Sequence, residues 1–446
     1  AHAFQFDLGE VAAGGEAWTG IAVIHHADPF ADAQASSALD GWLAERGAKA
    51  VVEAELAEWA AFQARVRVPA GASADEEALV RQSAVVLAMS QVKGDTAFLR
   101  EHLTRDGEPR RTRFASPAGT PVTLPGTIRH RGAGAVLASL PPGEWTYAWI
   151  RDGAYAVAAM AALGLHAEAR AALKFYLDAE GGRFRDWDEL KPYAMPPYLI
   201  TLTRYHGFGV EETDFNDFGP NLEFDGFGLF LWALHAYERD TGDATLADEA
   251  FGTITSRVAD ALIALVDPQT GLIRRDSSIW ETHWKGRERF WTYTSLTAAR
   301  GLCDAAALAD ARGGESRAAK YRVAGSTLRR AIARELTDGT GALASNREEL
   351  QSGGGYYDAA VLDAIAMGLF RPEGRIAQAT LDAMDAQLRT AAGPGWSRND
   401  DFKDHAGRED LSPWGGEYDS AEWGITDLRG AVAVLLAGRT ARADEL

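Results

Sequence analysis

The sequence predicts a mainly helical fold, an (α/α) toroid, and three observations predict it. From about residue 149 onward one helix-compatible segment follows another. Many of these segments are Ala-rich and apolar on every side, as in 227–234, which suits helices held inside a packed layer rather than on a surface. Short connections alternate with long ones rich in Trp, Asp and Gly at 180–222, 267–290, 340–356 and 392–420. Loops of that length inside a compact domain are usually functional, so the loop end of the helix pairs is where a site is expected.

Each element follows from local pattern. Residues 1–26 alternate in 3–8 and again in 18–24 around Gly14-Gly15, which reads as two strands. A lone hairpin is not stable in water, so it must pad a neighbouring domain or close a larger sheet. A helix is expected over 34–64 from Leu39, Trp42, Leu43, Val52, Leu56, Trp59 and Phe62, ending at Pro69-Ala70-Gly71. A second is expected over 75–92 from Leu79, Val80, Val85, Val86 and Met89. Residues 104–134, polar and rich in Arg, Pro and Gly, read as loop with short strands such as 121–124. The toroid helices are expected at 150–163, 167–178, 224–241, 245–265, 291–312, 316–335, 357–369, 374–391 and 421–438. Gly164, Gly242 and Gly313 stand where helix stops belong.

Composition narrows the function. A net charge of −19, from 45 basic and 64 acidic residues, argues against nucleic acid or an anionic membrane as partner, because neutralising phosphate needs a basic face. It suits a neutral substrate, and equally plain solubility. No apolar run is long enough to span a bilayer, and the start of the chain has neither the basic nor the apolar region of a signal peptide. One cysteine, Cys303, rules out an internal disulfide; in the Ala-rich run 302–308 it is expected as a small buried residue. A reducing, cytoplasmic compartment is the expectation. The ten His show no metal-ligand spacing, with His25-His26 the only adjacent pair and His130 flanked by Arg129 and Arg131, and no Gly-rich phosphate loop is present. No cofactor and no metal are therefore expected.

Four segments carry chemistry. In 275–284, Trp280-Glu281 lies in a long loop ahead of a helix, and a carboxyl poorly solvated beside Trp can stay protonated near neutral pH, as a general acid for glycoside cleavage must. In 145–155, Trp145, Tyr147 and Trp149 alternate and then meet Arg151-Asp152 at a helix start. Asp152 reads either as a helix cap or, with Arg151, as a clasp for sugar hydroxyls on an aromatic floor. In 221–228, Asp225 either lines the site or caps its helix. The region 393–423 holds Arg398, Glu417, several other carboxylates, and Trp396, Trp414 and Trp423; a solvated loop explains the charges but not three tryptophans.

In order and spacing, these segments resemble glycoside hydrolase family 15, the glucoamylase and glucodextranase family, over about 75–436. Tyr147-Ala148-Trp149-Ile150-Arg151-Asp152 is similar to the family's Y-x-W-x-R-D segment, Phe224-Asp225-Gly226-Phe227-Gly228 to its LDGYG-like helix start, and Ser278-Ile279-Trp280-Glu281 to its S-I-W-E or L-W-E-E segment. Phe290-Trp291-Thr292-Tyr293-Thr294-Ser295 resembles the F-x-Y-S run, 395–423 the later substrate loop, and 132–142 the approach to the first toroid helix. The resemblance implies an (α/α)6 toroid and inverting, exo-acting release of glucose from the non-reducing ends of α-linked oligosaccharides. Glu281 would be the general acid; Arg151 and Asp152 would hold the terminal glucose, with Trp149, Asp225, Trp280, Thr282 and Arg398 around it.

Two departures qualify this. Where the family often has a second Glu after the acid, this chain has Thr282, which leaves α-1,4, α-1,6 and trehalose-like linkages open. The family's toroid has twelve helices with its general base just before the last, whereas nine or ten are counted here. The resemblance thus implies a fragment: 1–30 as the remnant of an N-terminal β-sandwich, 31–140 as linker helices and loops, 141–446 as an incomplete toroid, and a base beyond Leu446 with Glu417 as the alternative. The rivals are another α/α-toroid carbohydrate enzyme, a lyase or epimerase, and a non-catalytic sugar-binding toroid. A lyase would want a Tyr or His base and basic residues for an acidic polymer.

Overall fold

The structure is a computed structural model that describes residues 7, 9–18, 32–93, 99–101, 127–129, 131–140, 145–185, 195–206, 209–213, 215–216, 219–281, 288–353, 355–390, 393–400 and 421–446. The expected strands at 3–8, 18–24 and 121–124, and residues His25, His26, His130, Thr282 and Glu417, lie wholly or mostly outside this set. The chain divides into two compact units, one of residues 1–88 with 163–165, the other of 89–162 with 166–446.

In the first unit the expected helix over 34–64 is two, α1 (Asp32–Arg46) and α2 (Ala48–Ala64). The break is Gly47, which adopts φ 78°, a conformation that ends a helix and that glycine reaches without steric cost. Next comes α3 (Ala74–Ser90). A reciprocal cap opens it: the Ser73 N–H donates to Glu76 Oε2 at 2.6 Å and the Glu76 N–H donates to Ser73 Oγ at 3.3 Å.

The second unit is built of helices in alternating inner and outer positions. In chain order they are α4 (Ile150–Ala162), α5 (His166–Asp178), α6 (Asp225–Thr241), α7 (Thr245–Ile254), α8 (Asp260–Ala264), α9 (Thr292–Asp310), α10 (Glu315–Glu335), α11 (Arg347–Ser352), α12 (Asp363–Ala366), α13 (Arg375–Gln387), α14 (Gly424–Leu436) and α15 (Thr440–Glu445). Helix α4 packs on α6, α6 on α9, α9 on α12 and α12 on α14, while α5 and α10 pack outside α4 and α9. That alternation is the toroid arrangement the loop rhythm predicts.

The inner helices approach closely. A side chain at Gly228 of α6 would collide with the Thr297 carbonyl of α9, and one at Gly301 of α9 would collide with the backbone of Gly228. Gly164, Gly242 and Gly313 all take positive φ, as helix stops do. Between α7 and α8 the helix passes through a π turn, Thr255–Ala259. The Thr255 and Ser256 hydroxyls donate to carbonyls of the preceding turn there, at 2.8–3.1 Å, competing with the regular ladder.

Some expectations change. The helix expected over 357–369 is a 3-10 turn, Ala359–Leu362, followed by the single turn α12, and α11 sits inside a segment read as loop. Cys303 is exposed, not buried. Its helix, α9, is covered on nearly all sides, but Arg300, Cys303, Ala307 and Asp310 follow the 3–4 spacing of its one outward stripe. No helix among the described residues is long and apolar enough to cross a membrane.

Short strands brace the loop end. Strand β1 (Leu99–Glu101), just ahead of the region read as loop with short strands, pairs antiparallel with β2 (Thr127–Arg129) inside it. Then β3 (Tyr147–Trp149), β4 (Arg204–His206) and β5 (Glu211–Glu212) form an antiparallel sheet with Trp149 opposite Arg204. Two further short strands, β6 (Phe215–Asn216) and β7 (Gly219–Pro220), form a hairpin ahead of α6. The buried Glu211 carboxylate ties three chain segments together, accepting from the N–H groups of Leu202 (2.9 Å) and Arg183 (2.7 Å) and from the Tyr198 hydroxyl (3.3 Å). Burial pushes that carboxyl up to about 7 against those hydrogen bonds.

Candidate active site

A pocket of about 480 Å³ opens at the loop end of the second unit, a size in the usual range of about 300–1,000 Å³ for small-molecule sites. Its walls come from distant parts of the chain. The approach to α4 gives Ala138, Trp145, Trp149, Arg151 and Asp152; the 267–290 loop gives Ile279, Trp280 and Glu281; the last loop and α14 give Arg398, Trp423, Ile425 and Arg429.

Trp149 ends β3, so the sheet fixes it. Arg204, paired with Glu212 on the neighbouring strand, lies over the Tyr147 ring at 4.4 Å and the Trp149 ring at 5.0 Å, and Trp145 and Tyr147 meet Trp149 edge-on at 6.0 Å. Arg151 and Asp152 follow at once in the first turn of α4. Arg151 is buried, and its Nη1 meets Glu223 Oε2 at 2.8 Å and Asp225 Oδ2 at 2.7 Å, while Nη2 stands 3.9 Å from Glu281 Oε1. Asp152 is raised by burial, against the pull of Arg151 and then Arg429.

Asp225 neither lines the pocket nor caps its helix by a side-chain hydrogen bond; it stands behind the wall and holds Arg151. The first turn of α6 carries it inward, and burial is affordable there because the guanidinium compensates its charge. Glu223, two residues earlier and not singled out by the sequence, does the same.

Glu281 is presented by a tight turn with an unusual backbone. Asp276, fully buried, anchors the entry: its carboxylate accepts from the Phe224 N–H (2.9 Å) and the Thr294 hydroxyl (2.8 Å), and its carbonyl accepts from Trp291 Nε1 (2.9 Å). The Ser277 N–H donates to the Leu222 carbonyl at 2.7 Å. Ser278 and Glu281 then take φ 57° and 55°, the left-handed region, the only non-glycine residues among those described to do so. Side chains there cost of order 1–3 kcal/mol each and persist where the surroundings over-determine them, a pattern that clusters at functional sites.

Glu281 does not stand alone. Asn221 Nδ2 donates to Glu281 Oε2 at 3.0 Å and to Glu223 Oε1 at 3.1 Å. Glu223 is raised well above the usual carboxylate range, first by burial and then by the charge of Glu281, against the pull of Arg151. Two carboxyls on one amide, beside one shared cation, favour holding a proton between them.

The far wall is aromatic and cationic. Trp280 Nε1 donates to both oxygens of Asp358 at 3.0 Å; burial lifts Asp358 to about 7, with Trp280 and Arg398 pulling it down. Arg398, itself buried, lies over the rings of Trp280 (5.0 Å) and Trp423 (5.2 Å). Its segment is fixed from below by Trp396, fully buried, whose N–H donates to Asp427 Oδ1 of α14 at 2.8 Å. Thr282 and Glu417 lie outside the described residues.

Several buried polar atoms around this pocket have no hydrogen-bond partner: Trp149 Nε1, Asn221 Oδ1, Ser277 Oγ, Ser278 Oγ and Tyr293 OH. Leaving one such group unpaired costs roughly 1–3 kcal/mol. Their grouping fits a site completed by water or by a ligand rich in hydroxyls. Of the sequence candidates, the structure brings Trp149, Arg151, Asp152, Trp280, Glu281 and Arg398 to one pocket, with Asp225 behind it. Glu223, Asp358 and Arg429 were not singled out. Only for Glu223 was there a signal, a carboxylate two residues before Asp225 in the segment already under suspicion.

Comparison with known proteins agrees with this architecture. A glycosidase solved in complex with glucose is 20% identical, with TM-score 0.52, covering 70% of this chain and 76% of its own. A bacterial glucoamylase complexed with acarbose is 16% identical, with TM-score 0.50, over 70% of this chain and 46% of its own. The glucoamylase from Saccharomycopsis fibuligera is also 16% identical, with TM-score 0.50, over 69% and 67%. At these identities the likeness establishes a shared fold, the (α/α)6 toroid. No curated protein matches in sequence. The family model for glycosyl hydrolases family 15 matches residues 123–403, more than half of the chain and most of the pocket. The chain belongs to family 15 of the glycosyl hydrolases.

Proposed function

We propose that this glycoside hydrolase cleaves terminal α-glucosidic bonds with inversion, releasing glucose from non-reducing ends of oligosaccharides, and that Glu281 is its general acid. One observation carries the reading: Glu281 is held with a left-handed backbone, lining a pocket that also holds Arg151 and Asp152, and its carboxyl shares the Asn221 amide with the buried Glu223. The glucose and acarbose bound to the structural relatives support a glucose unit as occupant.

In this reading Arg151 and Asp152 orient the terminal sugar, and Trp149 and Trp280 wall it off from water. Glu281 gives its proton to the glycosidic oxygen as the bond from that oxygen to the anomeric carbon breaks. A water molecule attacks the anomeric carbon from the opposite face and passes its proton to a second carboxylate, which an inverting route places about 6.5–9.5 Å from the acid. Within this chain the candidate for that base is Glu417.

The test is turnover of maltose, isomaltose and trehalose by the full-length protein and by Glu281→Gln and Glu417→Gln. General acid catalysis contributes roughly 10²- to 10⁴-fold, so Glu281→Gln should lose activity on that scale while still binding glucose. An unchanged rate in Glu281→Gln rejects the acid, and an unchanged rate in Glu417→Gln rejects Glu417 as the base. Glucose binding without turnover by the unmodified full-length protein would make the site a sugar-binding one.

A further inference from the structure

The pocket wall holds a cation that the reaction outlined above does not use. Arg429 projects from α14, lines the pocket and is only partly covered, its side chain 15% exposed. Its guanidinium lies 3.8 Å above the centre of the Tyr155 ring, and its Nη1 stands 3.6 Å from Asp363 Oδ2. Tyr155 is one helical turn beyond Arg151 on α4. Its hydroxyl donates to Asp363 Oδ2 at 2.5 Å, so Tyr155 and Asp363 hold each other and the guanidinium between them.

Arg151 and Arg429, two of the three pocket arginines, differ in their hydrogen-bonding state. Arg151 spends Nη1 on Glu223 and Asp225. Arg429 is too far from Asp363 for a hydrogen bond, and its nitrogens are not among the sealed, partnerless polar atoms of the protein. Its N–H groups therefore face the open space of the pocket. A guanidinium carries five donors and no acceptor, and desolvating it without acceptors is costly. The neighbouring Tyr293 hydroxyl is buried and also without a partner.

We propose that Arg429 is a specificity-determining residue, donating hydrogen bonds to a hydroxyl oxygen at the innermost end of the sugar ring held by Arg151 and Asp152. The proposal rests on the assignment of this pocket to a terminal glucose. The innermost hydroxyls of a sugar entering by its non-reducing end are those on carbons 4 and 6, so Arg429 reads one of these. Its charge also reaches Asp152, helping keep that carboxylate ionised as an acceptor for the same ring.

The experiment is equilibrium binding by calorimetry, which needs no turnover. Glucose, 4-deoxyglucose and 6-deoxyglucose are titrated into the full-length protein and into its Arg429→Met and Arg429→Lys variants, with thermal melts as a check on folding. A charge-assisted hydrogen bond predicts glucose binding about 10- to 100-fold weaker in Arg429→Met. It also predicts that one deoxy sugar, already weakened in the unmodified protein, loses little more in the variant. Arg429→Lys, which keeps the charge beside Asp363 and Tyr155 but loses the planar fork, should fall between the two. Equal losses for all three sugars in Arg429→Met would mark a merely structural role and overturn the proposal, as would no loss at all. If the unmodified protein fails to bind glucose, the glucose reading falls and this proposal with it, an outcome distinct from the other two.

Discussion

Replacing Glu223 by Gln tests how Glu281, the acid proposed above, would keep its proton. Glu223 and Glu281 accept from the same Asn221 amide nitrogen, at 3.1 and 3.0 Å. Sharing one nitrogen keeps the two accepting oxygens within about 6 Å of each other, and two charges at that limit repel by roughly 3 kcal/mol at an effective dielectric near 20, and by about 0.7 kcal/mol under water-like screening. The Glu281 side chain is 25% exposed, so a value between these limits applies. At about 1.4 kcal/mol per pH unit, this corresponds to roughly one unit. The repulsion makes the last proton on the pair harder to lose, so activity that needs it extends to higher pH. Substitution by a neutral amide removes the repulsion, and the last proton then leaves at lower pH. The alkaline limb of the kcat/KM profile should therefore move down by about one pH unit, with the acid limb governed by the base left in place. The assay is the full pH profile of the full-length protein and its Glu223→Gln variant on a glucoside substrate. An alkaline limb that stays put or moves upward, in a variant that melts normally, would refute the idea that the two carboxyls share a proton.

Ser278→Gly should raise stability by about 1 kcal/mol in a denaturant titration, because it relieves a left-handed residue and removes a buried hydroxyl without a partner, partly offset by glycine's greater freedom when unfolded. Gly228→Ala should destabilise by about 1–3 kcal/mol or more, since its Cβ would sit 2.1 Å from the backbone carbonyl of Thr297, which no rotamer change can clear; a normal melt would refute the close α6–α9 contact. Glu211 and Asp358 are both lifted by burial to about 7, well above the value of an unfolded carboxyl. Between about pH 4 and 7 the folded state then binds more protons than the unfolded one, so these groups stabilise fully below that window and the contribution is lost as pH rises through it, by up to about 1.4 kcal/mol per pH unit for each group. Melting temperatures across pH 4–7 should fall less steeply in Glu211→Gln and Asp358→Asn than in the unmodified protein, and identical slopes would refute the assignment.

What the sequence disclosed and what it withheld divide along a physical line. Helices α4, α6 and α9 were legible because they are apolar or Ala-rich and followed by a glycine stop, so local propensity and burial point the same way. Trp149, Arg151, Trp280 and Glu281 were legible as chemistry because each sits in a short run of unusual composition beside a helix start. The breaks were less visible. Gly47 interrupts a periodic pattern that otherwise continues, and the single turn at α12 depends on Asp358 capping the 3-10 turn before it, where its carboxylate accepts from the Ala360 N–H at 2.8 Å. The partners of the site were hidden for a different reason. Arg429 lies in an ordinary amphipathic stretch, and only the folding of α14 against α4 brings it above Tyr155, 274 positions earlier in the chain. The same holds for Asp358 beneath Trp280, separated by 78 positions. A residue's capacity for chemistry is written in its own type and neighbours, but its protonation and its open hydrogen bonds are set by groups that long-range packing delivers. In this protein that packing places three carboxylates, Glu223, Asp225 and Glu281, around the one guanidinium of Arg151. Burial and the charge of Glu281 raise the Glu223 carboxyl well above the usual carboxylate range against the pull of Arg151, so the cluster favours keeping a proton. That retained proton is what a general acid at position 281 requires.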